Sequence, residues 1–66
     1  MNDERLIRLP EVERLTGLRR AHLYALARKQ KFPVPLKIGA RASAWRESLV
    51  LAWIQDRIRD AHDGAA

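Results

Sequence analysis

The 66-residue sequence contains no cysteine. This absence excludes a disulfide framework and every metal site built on thiolates, including zinc fingers and zinc ribbons. The core must therefore hold without covalent or metal cross-links. A chain of this length buries only about 60% of the surface that its unfolded form exposes, so its large apolar side chains are needed inside. We therefore expect no enzyme active site, no cofactor and no cavity for a small-molecule ligand.

Acidic residues are absent from the middle of the chain. Residues 19–46 carry eight Lys and Arg side chains and no Asp or Glu, whereas the segments before and after them are net acidic. We call residues 19–46 the central basic segment. Its charge of +8 exceeds the +5 of the whole chain. Such a segment attracts a partner with dense negative charge.

Long hydrophobic runs and catalytic arrangements are absent as well. No apolar stretch reaches the length of a signal-peptide core or a membrane span, which predicts a cytoplasmic protein without membrane contacts. The three glycines are isolated, so no glycine-rich loop is available to cradle a phosphate. His22 and His62 are far apart in sequence, and we expect no metal site.

The spacing of apolar residues predicts three helices. Pro10 suits the first turn of a helix and Gly17 its end, which predicts a helix over residues 10–16. Apolar residues at intervals of three and four predict a second helix over residues 19–29 and a third over residues 47–60. The tail that begins at His62 is expected to fray.

Between the second and third helices, the pattern changes to that of a β-hairpin. Two prolines interrupt the helix, and alternation around a turn at residues 39–41 predicts a wing over residues 34–46. Residues 6–8 are a candidate edge strand. The predicted fold is α+β and mainly helical, a small winged helix-turn-helix. We expect a single DNA-binding domain over residues 1–66, an ordered core over about residues 5–60 and a helix-turn-helix over residues 10–29.

The two tryptophans are expected inside the protein. Exposed aromatic side chains can stack on unpaired bases, but a domain this small needs its bulkiest residues in the core. The predicted core comprises Leu9, Val12, Leu15, Leu18, Leu23, Leu26, Phe32, Ile38, Trp45, Val50, Trp53 and Ile54.

Eight short motifs follow one another along the chain: Arg8-Leu9-Pro10-Glu11-Val12, Leu15-Thr16-Gly17-Leu18-Arg19-Arg20, Leu23-Tyr24, Lys31-Phe32-Pro33, Pro35-Leu36-Lys37-Ile38-Gly39, Arg41-Ala42, Ala44-Trp45 and Ala52-Trp53-Ile54. Together they resemble the AlpA family of phage and prophage regulators over roughly residues 5–58. The resemblance implies a fold similar to the MerR-type winged helix and to small excisionases. It also implies sequence-specific DNA binding that controls integrase expression or prophage excision, in a bacterial or phage-encoded protein associated with the nucleoid.

The candidate DNA contacts fall in the central basic segment. The second helix of a helix-turn-helix enters the major groove and presents donors to base edges, while a wing reaches the backbone. By position, the resemblance implies a recognition helix at residues 19–28 and a wing at residues 37–41. The helix contacts that we predict are Arg19, Arg20, His22, Tyr24 and Arg28, with Arg20 as the candidate for a guanine. The backbone and wing contacts are Lys29, Lys31, Lys37, Arg41 and Arg46.

The sequence departs from the family pattern at two places. The family usually has a small hydroxyl residue where Arg19 stands, which would cap the recognition helix; Arg19 instead places a cation beside a helix N-terminus, which favours a phosphate contact. Leu49 and Leu51 stand where the family is usually charged or polar. They are candidates for self-association, as a homodimer or as a cooperative assembly on DNA, against the plainer interpretation of single exposed leucines.

Three functions fit the sequence. The first is a sequence-specific, double-stranded DNA-binding transcriptional regulator without catalytic activity. The second is an excisionase-like architectural factor that bends DNA to direct site-specific recombination. The third, of another class, is a small protein-protein adaptor that uses the apolar last helix, and it predicts only non-specific DNA binding.

Overall fold

A computed structural model describes residues 3–64 and contains three helices and a three-stranded antiparallel sheet. The predicted fold class, a mainly helical α+β winged helix-turn-helix, is confirmed. The strand order is β1-β3-β2, so β3 is the central strand. The elements are β1 (Leu6–Ile7), α1 (Leu9–Thr16), α2 (Arg20–Arg28), β2 (Leu36–Gly39), β3 (Ala42–Arg46) and α3 (Glu47–Gly64).

Both helices of the helix-turn-helix end at a residue in the left-handed conformation. Gly17 ends α1 in the left-handed conformation, with a φ of 77°, as the sequence predicts. The end of α2 has the same geometry at Gln30, with a φ of 58°. There the amides of Gln30 and Lys31 donate to the carbonyls of Ala27 and Leu26, which is the Schellman pattern. The sequence gives no indication of this conformation at Gln30, because glycine and asparagine are the residues that usually adopt it.

The wing consists of β2 and β3 in antiparallel register, with Leu36 opposite Ala44 and Lys37 opposite Ser43. The register shifts between Lys37 and Gly39, which is the mark of a bulge. On the other side of β3, the two residues of β1 complete the sheet, which confirms the candidate edge strand. All four residues of β2 are exposed, so the wing extends from the body of the protein with one open edge.

The core forms where α1 and α3 pack against β3. Ten of the twelve predicted core residues are buried or pack against the buried cluster. Leu15 and Ile38 are the two errors, with 36% and 47% of their surface exposed. Ile38 lies on the open edge strand, beyond the reach of the helices, and Leu15 lies in the last turn of a short helix whose buried residue is Val12.

Both tryptophans fix the loop between α2 and the wing. Trp45 is fully buried, and its indole N–H donates to the carbonyl of Pro33 at 2.9 Å. The indole N–H of Trp53 donates to the carbonyl of Lys31 at 2.7 Å, while its ring packs edge-on against Phe32. These bonds set the position of the wing relative to α2.

Glu4 fixes the start of α3, which follows β3 without a loop. The backbone N–H of Ser48 donates to Glu4 Oε2 at 3.1 Å, and the Ser48 hydroxyl donates to Oε1 at 2.6 Å. Arg46 pairs with the same carboxylate at 3.2 Å. The hydrogen bonds from Ser48, together with Arg46, hold the pKa of Glu4 below its usual range. Glu4 thus acts as a helix cap supplied from 43 residues before α3 begins.

We expect Glu4 to make the stability depend on pH in the acid range. Because its pKa is lower in the folded than in the unfolded chain, Glu4 stabilises the fold fully above the ordinary glutamate value of about 4.3. That contribution disappears as the pH falls through the lowered folded value. In urea titrations, Glu4→Gln should therefore be less stable than the unsubstituted protein above about pH 5, with the difference shrinking in stronger acid. Glu13→Gln is the control, and a difference for Glu4→Gln that stays constant with pH would contradict the assignment.

The last helix is longer than the sequence predicts. It continues to Gly64, four residues past the predicted end, and His62 and Asp63 lie in it. The prediction that the tail frays from His62 is therefore wrong for the residues that the structure describes. Ion pairs between residues three apart support this stretch, Arg57 with Asp60 and Arg59 with Asp56. No helix within residues 3–64 is long and apolar enough to cross a bilayer.

Candidate nucleic-acid interface

The exposed face of α2 carries most of the predicted helix contacts. Arg20, Tyr24 and Arg28 line one shallow concavity of about 390 Å³ together with Ala21. The Arg20 guanidinium lies 5.4 Å from the centroid of the Tyr24 ring, which holds it over the aromatic face. His22 is exposed but does not join them, because a helix turns by about 100° per residue and His22 lies on the other side of α2 from Tyr24.

Tyr24 has two neighbours that bear on its role. Its ring meets the Trp45 ring edge-on, with the centroids 5.8 Å apart, and Trp45 belongs to the wing. The side chain is partly buried. Tyr24 therefore packs against the wing, while its ring also faces the Arg20 guanidinium.

The N-terminus of α2 has no side-chain cap. Arg19 occupies the cap position in an extended conformation and makes no capping hydrogen bond. No acidic residue lies in the first turn of α2. The first amides of the helix and the positive end of its dipole therefore add to the charge of Arg19 and Arg20. This end of the molecule is suited to a negatively charged partner.

We expect Arg19→Ser to change stability and DNA affinity in opposite directions. A serine at this position accepts a hydrogen bond from the first turn, so the free energy of unfolding should rise by about 1 kcal/mol. Loss of the cation should weaken binding to duplex DNA and lower its dependence on salt by about one phosphate contact. Thermal unfolding and fluorescence anisotropy measure the two effects. Unchanged affinity would remove Arg19 from the interface.

The ion pairs separate the cationic side chains into two groups. Arg5, Arg14, Arg46, Arg57 and Arg59 each pair with a carboxylate. The other eight of the 13 Lys and Arg side chains have no ion-pair partner within residues 3–64. Seven of these eight belong to the central basic segment: Arg19, Arg20, Arg28, Lys29, Lys31, Lys37 and Arg41. The eighth is Arg8, which the sequence prediction did not include.

The predicted backbone contacts fall in three places. Lys37 and Arg41 lie on the wing and at its turn, both exposed. Lys29 and Lys31 lie in the connection that follows α2, and both side chains face solvent. Arg46 is set apart from these residues, because it lies at the end of β3 and pairs with Glu4. Its contact with a carboxylate from outside the central basic segment gives it a structural role that the charge pattern did not reveal.

Leu49 and Leu51 do not form one surface. Both are exposed, at 44% and 43%, but they flank the buried Val50 on different sides of α3. Leu51 instead lies in line with Ile54 and Ile58, at intervals of three and four residues. Ile58 is exposed, so the apolar line on α3 runs through Leu51 and not through Leu49.

Comparison with known proteins gives two matches. Residues 5–58 match the family model described as "Prophage CP4-57 regulatory protein (AlpA)". An uncharacterized protein of Enterobacteria phage P4, ORF88, is 43% identical over 58 residues, which cover 88% of this chain and 66% of that protein. The chain therefore spans just under two thirds of this relative's length. No solved structure matches the chain.

Proposed function

Because the chain belongs to the AlpA family of prophage regulatory proteins, we propose that it regulates transcription by binding specific sites in double-stranded DNA, without catalysis. The observation that carries this proposal is the grouping of the cations. Seven of the eight Lys and Arg side chains without ion pairs in residues 3–64 lie on α2, at its two ends and on the wing. A surface of unpaired cations binds a polyanion and releases its counterions.

The fold suggests how the protein docks. In a helix-turn-helix, the first helix crosses the DNA backbone and the second lies in the major groove. Here α2 is the second helix, and its face with Ala21, Tyr24 and Arg28 would meet the base edges. Lys37 and Arg41 on the wing would hold the backbone without reading sequence. In this arrangement His22, on the other side of α2 from Tyr24, lies outside this face.

A single module of this size buries about 600–1,000 Å² of its own surface against DNA and reads only a few base pairs. We therefore propose that copies bind side by side on repeated sites, with the line of Leu51, Ile54 and Ile58 on α3 as the candidate contact. Leu49 has no part in this contact because it lies on another side of the helix. A protein that is monomeric both free and on a repeated site, by sedimentation, would contradict this part of the proposal.

Selection of bound fragments from the source genome tests the function. The expected result is a small set of recurring fragments, bound about 10³-fold or more tightly than random DNA at physiological salt. Binding at about 10⁻⁴–10⁻⁶ M to every sequence would contradict specific regulation and favour the adaptor function. A bending assay on the selected fragments then separates a regulator that occupies its site from an architectural factor that bends it.

A further inference from the structure

A groove of about 460 Å³ lies where the start of α1, the start of α2 and the wing meet. It differs from the exposed face of α2, although Arg20 and Tyr24 contribute to both. The groove is lined by Arg8, Leu9, Pro10, Arg20, Tyr24, Arg41, Ser43 and Trp45.

The charge of this groove is entirely positive. Arg8 precedes α1, Arg20 begins α2 and Arg41 lies in the turn of the wing. None of the three pairs with a carboxylate within residues 3–64. No acidic residue contributes to the lining. Three arginines in one concavity repel one another unless an anion joins them. A folded chain that holds them together without an acid is therefore prepared for an anionic ligand.

The remaining lining residues define the kind of anion. Leu9 and Pro10 give the groove apolar surface, and the Ser43 hydroxyl adds a hydrogen-bond donor. The Tyr24 ring lies under the Arg20 guanidinium and limits its orientations. A bare inorganic anion makes no favourable contact with the apolar part of the groove. A sugar-phosphate backbone fits both parts, because it places a charged phosphate beside the apolar face of a sugar ring.

We propose that this groove holds one phosphodiester of the DNA backbone with its neighbouring deoxyribose, and that Arg8, Arg20 and Arg41 share that phosphate. The inference rests on the proposed function and deepens it in two ways. It adds Arg8 to the DNA-contacting residues. It also moves Arg20 from base reading to backbone positioning, so that its substitution weakens binding to all sequences alike. One phosphate fixed between α2 and the wing sets the depth at which α2 enters the major groove.

The salt dependence of binding counts the phosphates that the three arginines neutralise, and this number distinguishes one shared phosphate from three separate ones. The logarithm of the affinity falls with the logarithm of salt concentration by about 0.9 for each phosphate that the protein neutralises. Each single variant, Arg8→Gln, Arg20→Gln or Arg41→Gln, should bind a selected duplex about tenfold more weakly. The triple variant should lower the salt slope by about 0.9 if the phosphate is shared, against about 2.7 for three separate phosphates.

A matched control is available on the paired arginines. The control variant replaces three arginines with Gln: Arg14, Arg57 and Arg59. It loses the same number of positive charges, but these arginines lie outside the groove and each pairs with a carboxylate. It should keep the salt slope of the unsubstituted protein. Circular dichroism of both triple variants verifies that they are folded.

A second measurement locates the phosphate. Duplexes that carry a single neutral methylphosphonate, moved along each strand in turn, should show one position at which Arg8→Gln and Arg41→Gln no longer weaken binding. Different positions for the two variants, or an Arg8→Gln variant that binds as the unsubstituted protein does, would overturn the shared site. A loss for Arg20→Gln on one sequence only would return Arg20 to the bases.

The outcomes also separate this inference from the proposed function. If the unsubstituted protein binds all duplexes with equal, non-specific affinity, specific regulation fails, while the salt slope of the triple variant still decides between one shared phosphate and three separate ones. If it binds its selected fragments but the three arginines act on separate phosphates, the shared site fails alone. An unsubstituted protein that binds no duplex at all overturns both.

Discussion

Trp45→Ala is expected to unfold the protein at 25 °C in buffer. Trp45 is fully buried on β3, the central strand of the sheet. Replacing a buried tryptophan with alanine costs about 3–5 kcal/mol. A domain of 66 residues has a total stability of about 3–10 kcal/mol. The substitution therefore lowers the free energy of unfolding by an amount comparable to the total stability of the domain.

The position of Trp45 adds to this cost. Its N–H bonds the carbonyl of Pro33, and its ring meets that of Tyr24. The alanine variant leaves the carbonyl without its partner and frees the loop that joins α2 to the wing. Because the chain has no disulfide, nothing covalent limits the resulting loss of order.

Two further variants make the prediction quantitative. Trp45→Phe keeps an aromatic ring but loses the N–H, so it should remain folded and lose about 1–3 kcal/mol. Leu49→Ala, at an exposed position on α3, should change stability by about 0.5 kcal/mol or less. Urea titrations followed by circular dichroism measure all three variants. A folded Trp45→Ala protein within about 1 kcal/mol of the unsubstituted one would show that the core is not organised around this side chain.

The order and type of the elements follow from local signals in the sequence. Pro10 and Gly17 mark α1, the prolines after Phe32 keep the segment between α2 and the wing non-helical, and the alternation on either side of the wing turn predicts the hairpin. These signals act between residues close in sequence. The family resemblance carried by the eight motifs is confirmed as well, by the match over residues 5–58.

The features that the sequence does not predict arise where distant parts of the chain come together. Ile38 has the alternation of a half-buried strand, but burial depends on whether a helix covers that strand, and within residues 3–64 the edge strand β2 packs mainly against β3. Arg46 lies in a segment without acids, but Glu4 approaches it from 42 residues away. Gln30 takes a left-handed conformation that its residue type does not suggest, and the carbonyl of the next residue, Lys31, accepts a hydrogen bond from the distant Trp53.

In the candidate site, too, some residues follow from local signals in the sequence and others only from contacts between distant parts of the chain. The excess of cations on α2 and the wing follows from counting charges along the chain. The separation of His22 from Tyr24 follows from helical geometry once the bounds of α2 are known. Neither the charge count nor helical geometry indicates Arg8, because it lies before the central basic segment, in a part of the chain that is net acidic. Only the folded chain brings it into a groove with Arg20 and Arg41.

Ala21→Glu is expected to abolish specific DNA binding while leaving the fold intact. Ala21 is exposed on the face of α2 that carries Arg20, Tyr24 and Arg28. A carboxylate there would face the phosphates and base edges of the major groove, and the approach of like charges costs several kcal/mol. Affinity for a selected fragment should fall by about 100-fold or more. Fluorescence anisotropy with labelled duplexes measures this loss.

The same substitution should stabilise the free protein, which distinguishes this loss from unfolding. Ala21 lies in the first turn of α2, where no acid is present, and a negative charge near a helix N-terminus contributes about 0.3–1 kcal/mol. Ala52→Glu is the matched control, since Ala52 is also exposed in a helix but lies on α3. That variant has the same net charge and should keep its affinity within about threefold. An Ala21→Glu protein that still binds its fragment would exclude α2 as the element in the major groove, whereas equal losses for both variants would assign the effect to net charge alone.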